Sequence, residues 1–151
     1  MFRAALLILV SGCHLTGQTT DDRAKHFNLK KGIAAEGYDV VSYFKGIPLK
    51  GDKSKNYTYE GITYLFADDI NLELFSASPE KYEPQYGGWC AYAIGDSGEK
   101  VKINPQSFKI MNEKLYLFYD FGEINTLDLW NERENTLLEQ ADNNWKKIIS
   151  R

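Results

Sequence analysis

The sequence predicts one α+β domain, a small antiparallel sheet made from two β-hairpins with helices covering it. Three observations carry that expectation. Two runs of aromatic and β-branched residues, 57–66 and 108–119, are each interrupted by a short polar turn, which is the signature of a hairpin. Near the C-terminus, apolar residues recur at helical spacing with charges between them. Finally, 151 residues that are 43% hydrophobic and 26% charged supply one core but not two, and exclude disordered and collagen-like chains.

Met1-Phe2-Arg3 supplies a positive charge, Ala4 to Val10 is an apolar run of seven, and Ser11-Gly12 are small. This is the layout of a secretory signal peptide over residues 1–12. The run is far shorter than the ~20 residues that a helix needs to span a bilayer. Val10-Ser11-Gly12-Cys13 resembles the bacterial lipobox, whose Cys is acylated through a thioether and becomes the first mature residue. Cys13 is thus the expected lipidation site, and the membrane, reached through that anchor, the expected partner. His14 rather than Asp follows the Cys, which by the general sorting pattern of such lipoproteins points to the outer membrane, facing the periplasm. Residues 13–35 read as a lipidated tether and 36–151 as the domain.

Within the domain, Tyr38 to Phe44 reads as a strand, and Gly46-Ile47-Pro48 as a turn. Tyr57-Thr58-Tyr59, the Glu60-Gly61 turn and Ile62 to Phe66 form the first hairpin. Asp68 is placed to cap a short helix carrying Ile70 and Leu74, or Leu72 and Phe75, on its apolar face. Phe108 to Met111, Asn112-Glu113 and Leu115 to Tyr119 form the second hairpin. It repeats the tripeptide Tyr64-Leu65-Phe66 as Tyr116-Leu117-Phe118, which we read as shared hairpin chemistry rather than an internal repeat. Leu127, Trp130, Leu137, Leu138, Ala141, Trp145 and Ile148 then define an amphipathic helical end, with both Trp expected as core anchors.

Net charge is −3, and −4 once Arg3 is removed with the signal segment. That balance argues against nucleic acid as a partner. Two Cys cannot make a disulfide scaffold. The histidines are His14 and His26, both in the tether region, so Ser-His-Asp, Cys-His and zinc-His catalysis lack their partner. No catalytic constellation is found, and an enzyme is not expected. Asp39 is either a turn-capping residue or the most interesting acid. Asp68-Asp69 reads as helix capping, and Gly95-Asp96-Ser97-Gly98 as a turn.

The chain from Gly37-Tyr38-Asp39 with Tyr43-Phe44, through Gly61 to Phe66 and Phe75 to Pro79, resembles the YHS-domain family. The most specific block runs from Lys81 to Ala93 and includes Tyr86-Gly87-Gly88-Trp89-Cys90-Ala91-Tyr92. Lys114 to Leu117 and Ala141 to Trp145 complete a likeness covering about 110 residues. Related YHS and TRASH-like domains are associated with copper and zinc. Their metal-binding versions place one Cys after the hairpin's final Phe and a second four positions on. Ala67 and Asn71 occupy those positions here, so the resemblance implies a fold without its usual metal site.

Cys90 is the thiol left once Cys13 is lipidated. It is either a small core residue in a Gly-rich packing motif or a contact for a small ligand or soft metal. In the second case Cu(I) is the ion favoured, with further ligands from Met111 or a second copy of the chain. The candidate ligand residues are then Tyr86, Gly87, Gly88, Trp89, Cys90, Tyr92 and Asp39. The expected function is an envelope lipoprotein with a YHS-like binding domain. The alternative is a structural or protein-interaction lipoprotein without ligand chemistry, which a sealed Cys90 would favour.

Overall fold

The computed structural model describes residues 20–151. The signal segment, the lipobox and Cys13 lie outside the described residues. The class is α+β, as expected, with described sheets of four, two and two strands. Strands β1 (Leu29–Lys30), β2 (Ile33–Ala34), β3 (Asp52–Tyr59) and β4 (Ile62–Phe66) form a sheet in the order β1-β2-β4-β3. It is antiparallel except where Ile33 meets Thr63 in parallel. The second hairpin, β5 (Asn104–Met111) and β6 (Lys114–Phe118), forms its own sheet, and β7 (Asp120–Phe121) pairs with β8 (Ile124–Asn125). The two main hairpins are therefore not joined edge to edge. They are packed through side chains, and the 84–90 segment runs beside β6 through single bridges from Pro84 to Leu115 and from Cys90 to Leu117.

Both hairpins turn on two residues of positive φ, Glu60-Gly61 (44° and 82°) and Asn112-Glu113 (50° and 59°). That pattern matches the right-handed twist of the flanking strands. Their registers correspond pair for pair. Tyr57 faces Tyr64 as Lys109 faces Tyr116, and Asn56 faces Leu65 as Phe108 faces Leu117. An irregularity separates Asp52 from Asn56 in one, and Asn104 from Phe108 in the other. The likeness ends with the hairpins. Helix α2 (Asp69–Ala77) follows the first, capped by the Asp68 carboxylate, which accepts from Asn71 N–H at 2.7 Å. The short β7–β8 pair and helix α5 (Thr126–Glu132) follow the second.

Two expectations are corrected. Tyr38 to Phe44 is not a strand: residues 42–45 form a 3₁₀ turn. The Asp39 carboxylate accepts from the N–H groups of Val41 and Ser42, at 2.9 and 3.2 Å, and the Ser42 hydroxyl donates to Asp39 O. These local bonds override the β-branched preference, while Val40, Val41 and Tyr43 are still buried. The tether boundary also moves. Helix α1 (Thr20–Ala24), β1 and β2 belong to the folded body, and His26, Ala34 and Ala35 are buried. A polar, turn-rich composition hid a segment that adds two strands to the sheet.

The core has two parts. One gathers Tyr43, Tyr64, Phe66, Phe75, Leu115 and Leu117 between the hairpins and α2. The other packs β6 against α4 (Ala91–Asp96), α5 and α6 (Glu134–Ile149), through Ile94, Phe118, Trp130 and Leu137. Trp130 is fully buried, whereas Trp145 is only half-buried. The core anchor of the helical end is thus Trp130. Trp145 lies instead at the edge of a cleft.

Candidate ligand cleft

The specific block begins after the short helix α3 (Pro79–Tyr82). Pro84 sets an extended φ of −66°, after which Tyr86, Gly87 and Gly88 take left-handed values of 55°, 60° and 79°. A left-handed tyrosine is uncommon and costs of order 1 kcal/mol. It is held there by its hydroxyl, which donates to Asp142 on α6 at 2.9 Å, and by ring contacts to Tyr116 and Trp145. Burial, followed by the Asp142 carboxylate, pushes the Tyr86 hydroxyl far above the ordinary tyrosine pKa.

The glycines are explained by neighbouring protein. A Cβ on Gly87 would stand 3.0 Å from the Trp145 ring and 3.1 Å from both His26 O and Phe27 Cα. On Gly88 it would meet Pro84 at 3.4 Å. Residues 26–28 cross this point: Asn28 N–H donates to Gly87 O at 2.8 Å, and Trp89 Nε1–H donates to His26 O at 2.7 Å. Gly87, Gly88 and Trp89 therefore clamp the N-terminal segment. Tyr92 is half-buried and packs against both parts of the core.

Cys90 is sealed, with no exposed surface. Its Sγ accepts from Tyr119 N–H at 3.3 Å and lies 3.3 Å from the Thr126 hydroxyl. That hydroxyl gives its own proton to Tyr119 O at 2.7 Å, which leaves its lone pairs to face the sulfur. Met111 packs in the other part of the core. Among the described residues, no group of three or more His, Cys, Asp or Glu is placed to hold a metal. A buried thiol whose donor and acceptor roles are both filled does not fit Cu(I). Cys90 is a buried core residue, the packing alternative of the two that its sequence setting left open.

Asp39 is likewise architectural. It is fully buried, and besides the turn bonds its second oxygen accepts from Ala67 N–H at 2.9 Å and Asn71 Nδ2 at 2.7 Å. The Asn71 carbonyl in turn accepts from Lys45 Nζ. Ala67 and Asn71, the two positions where the resemblance would put thiolates, thus both close onto one satisfied carboxylate.

What the block does create is a cleft of about 510 Å³ between α1, the 83–87 segment and α6. Arg23, His26, Glu83, Tyr86, Asp142 and Trp145 line it, with Glu80, Lys114 and Lys146 among its charged residues. Arg23 pairs with Glu60 at 3.2 Å and with Glu83, and lies over the rings of Phe27 and Tyr59 at 4.7 and 5.3 Å. Two groups stand out. His26 is 7% exposed and both ring nitrogens are buried without a hydrogen-bond partner. Burial, then Lys100 and Lys25, lowers its pKa, so the imidazole is neutral near pH 7. Glu83 is 8% exposed, and its Oε1 and the Tyr64 hydroxyl face each other in imperfect hydrogen-bond geometry. Burial raises the Glu83 pKa against the opposing pull of Arg23.

Of the sequence candidates, Tyr86 and Gly87 line this cleft; Asp39 and Cys90 are sealed within the core. Sequence reasoning missed Arg23, His26, Glu83 and Asp142. The signal for Glu83 was its place in the Lys81 to Ala93 block, while assigning His26 to a tether removed it from view. Comparison with known proteins finds no matching family model, no similar curated protein and no similar solved structure.

Proposed function

We propose that the chain is a YHS-like, lipid-anchored envelope lipoprotein that binds a small zwitterionic ligand in the cleft beside Tyr86, and not at Cys90. One observation carries this reading. His26 and Glu83, each more than nine-tenths buried, line a single cleft; neither His26 ring nitrogen has a partner, and the second Glu83 oxygen meets only the Tyr64 hydroxyl, in imperfect geometry. An unsatisfied buried polar group costs about 1–3 kcal/mol, and such groups persist in native proteins where a bound molecule completes them. The charges suit a ligand of both signs. Arg23 is already engaged by Glu60 and Glu83; around the opening stand the acids Glu80 and Asp142, each accepting one tyrosine hydroxyl, and the bases Lys114 and Lys146. Trp145, Phe27 and Pro84 supply apolar wall.

The test uses three probes of equal carbon count: 4-aminobutyrate, butylammonium and butyrate. Each is titrated into the protein while the Trp145 indole N–H resonance is followed. The expected result is a saturable shift with 4-aminobutyrate and weaker shifts with the singly charged probes. No shift with any probe would favour the second reading, a protein-interaction lipoprotein. That reading draws support from the Gly87-Gly88-Trp89 clamp, which spends the specific block on holding protein segments together.

A further inference from the structure

We propose that a lysine-rimmed depression on the four-stranded sheet is a docking surface for anionic phospholipid headgroups, which holds the domain in one orientation on the membrane. The depression, about 220 Å³, lies at the β1–β2 end of the sheet and has Lys30, Lys31, Lys50 and Lys53 around apolar Ile33 and Leu65, with Glu36 as its acid. All four lysines are exposed, and none forms an ion pair with a described residue. In a chain of net charge −3, four such cations at one place concentrate positive potential where the average is negative.

Their position follows from the fold. Lys31-Gly32 is a two-residue turn with both φ values positive, 54° and 80°, and it projects Lys30 and Lys31 at the sheet's edge. Lys50 bridges to Tyr38, and Gly51 sits so close to Leu65 that a Cβ would fall 2.5 Å from that side chain. This contact brings the 50–53 segment alongside the same floor. Ile47 and Leu49, on the loop that leads into Lys50, are exposed apolar residues, 64% and 42% accessible. A cationic rim with apolar side chains beside it matches a headgroup layer, which offers phosphate above and hydrocarbon below.

The second argument is reach, and it rests on the lipoprotein reading. Thr20, where α1 begins, is seven residues after Cys13, a span of at most ~25 Å when fully extended. A domain of this size has a radius of gyration near 14 Å, so a body on such a leash is never more than about its own diameter from the lipid surface. Charges placed there act within the ~8–10 Å over which salt screens them. The leash supplies proximity, and the lysine rim supplies the orientation.

The full chain, purified from membranes and reconstituted into vesicles, tests the proposal. One set is phosphatidylcholine alone and the other includes phosphatidylglycerol. A membrane-impermeant amine-acylating reagent is applied, and labelling rates are read at each lysine by mass spectrometry. The mass of the Cys13 peptide is read from the same digest. We expect labelling of Lys30, Lys31, Lys50 and Lys53 to slow at least ~5-fold in the anionic vesicles, to recover in 1 M salt, and to leave Lys146 and Lys147 unchanged. Equal rates in both vesicles, with Cys13 acylated, would overturn the docking surface and spare the lipoprotein reading. Slowed labelling with Cys13 unmodified would do the reverse. Protection already complete in phosphatidylcholine would assign the depression to a contact of other chemistry, and would also overturn it.

Discussion

Two buried carboxylates in this protein have opposite surroundings. Asp39 accepts four hydrogen bonds, three from backbone N–H groups and one from Asn71, and has no exposed surface. Glu83 is nearly as buried, yet it has a single cation, Arg23, on one oxygen and only the Tyr64 hydroxyl, in imperfect geometry, beside the other. The first ties the 39–42 turn to the end of β4 and to α2, and leaves nothing for a ligand to supply. The second lines a cleft with its bonding capacity incomplete. Satisfaction, rather than burial or charge, separates architecture from a candidate site here.

The largest expected effect comes from breaking the satisfied group. Asp39→Ala orphans four donors at about 1 kcal/mol each, so chemical denaturation should show a loss of about 4 kcal/mol. A loss under about 1 kcal/mol would mean that water replaces the carboxylate freely. The two tryptophans give a parallel contrast. Trp130→Ala should cost about 3–5 kcal/mol, as for other emptied core sites, and Trp145→Ala distinctly less because Trp145 is only half-buried. Equal losses would place Trp145 in the core after all.

Gly87→Ala should be next. It forces a side chain into a left-handed backbone and against Trp145 and His26 O, at a cost of about 1–3 kcal/mol. Gly88→Ala shares the positive φ but has more room and should cost about 1 kcal/mol. A reversed order in thermal melts would show that the clamp is not what the glycines serve.

The smallest effect on stability, and the sharpest on the comparison, is Glu83→Gln. Because burial raises the Glu83 pKa above its ordinary 4.5, the folded state holds that proton more tightly than the unfolded chain does. The resulting stabilisation is complete below the ordinary value and is lost as pH rises through the raised one. The wild-type minus Glu83→Gln stability should therefore fall with increasing pH above about 4.5, as read from denaturant midpoints across that range. A difference that is flat or rises with pH would place Glu83 among the fully compensated carboxylates, beside Asp39.

Much of the fold was legible because it is local. Glu60-Gly61 and Asn112-Glu113 announced both hairpins, and Asp68 announced α2, since turn chemistry and capping act over a few residues. Tyr38 to Phe44 misled because a side chain two residues away outcompeted propensity, and only the folded backbone reveals that bond. The cleft was half legible. The block holding Glu83 and Tyr86 was prominent, but its other wall comes from Asp142 and Trp145, more than fifty positions on, and from Arg23 and His26, more than fifty before. Their composition reads as a tether; only the clamp at Gly87 and Trp89 makes that segment part of the site. Cys90 drew attention for its chemistry, and only burial and the Thr126 hydroxyl identify it as packing.

The central claim, that binding belongs to the cleft and not to the thiol, is tested most directly by the affinity for 4-aminobutyrate in two variants. Cys90→Ala should leave the dissociation constant within about twofold of wild type, and Glu83→Gln should weaken it about tenfold, the equivalent of one charged hydrogen bond. The opposite pattern, binding lost with Cys90 and kept without the Glu83 carboxylate, would contradict the account.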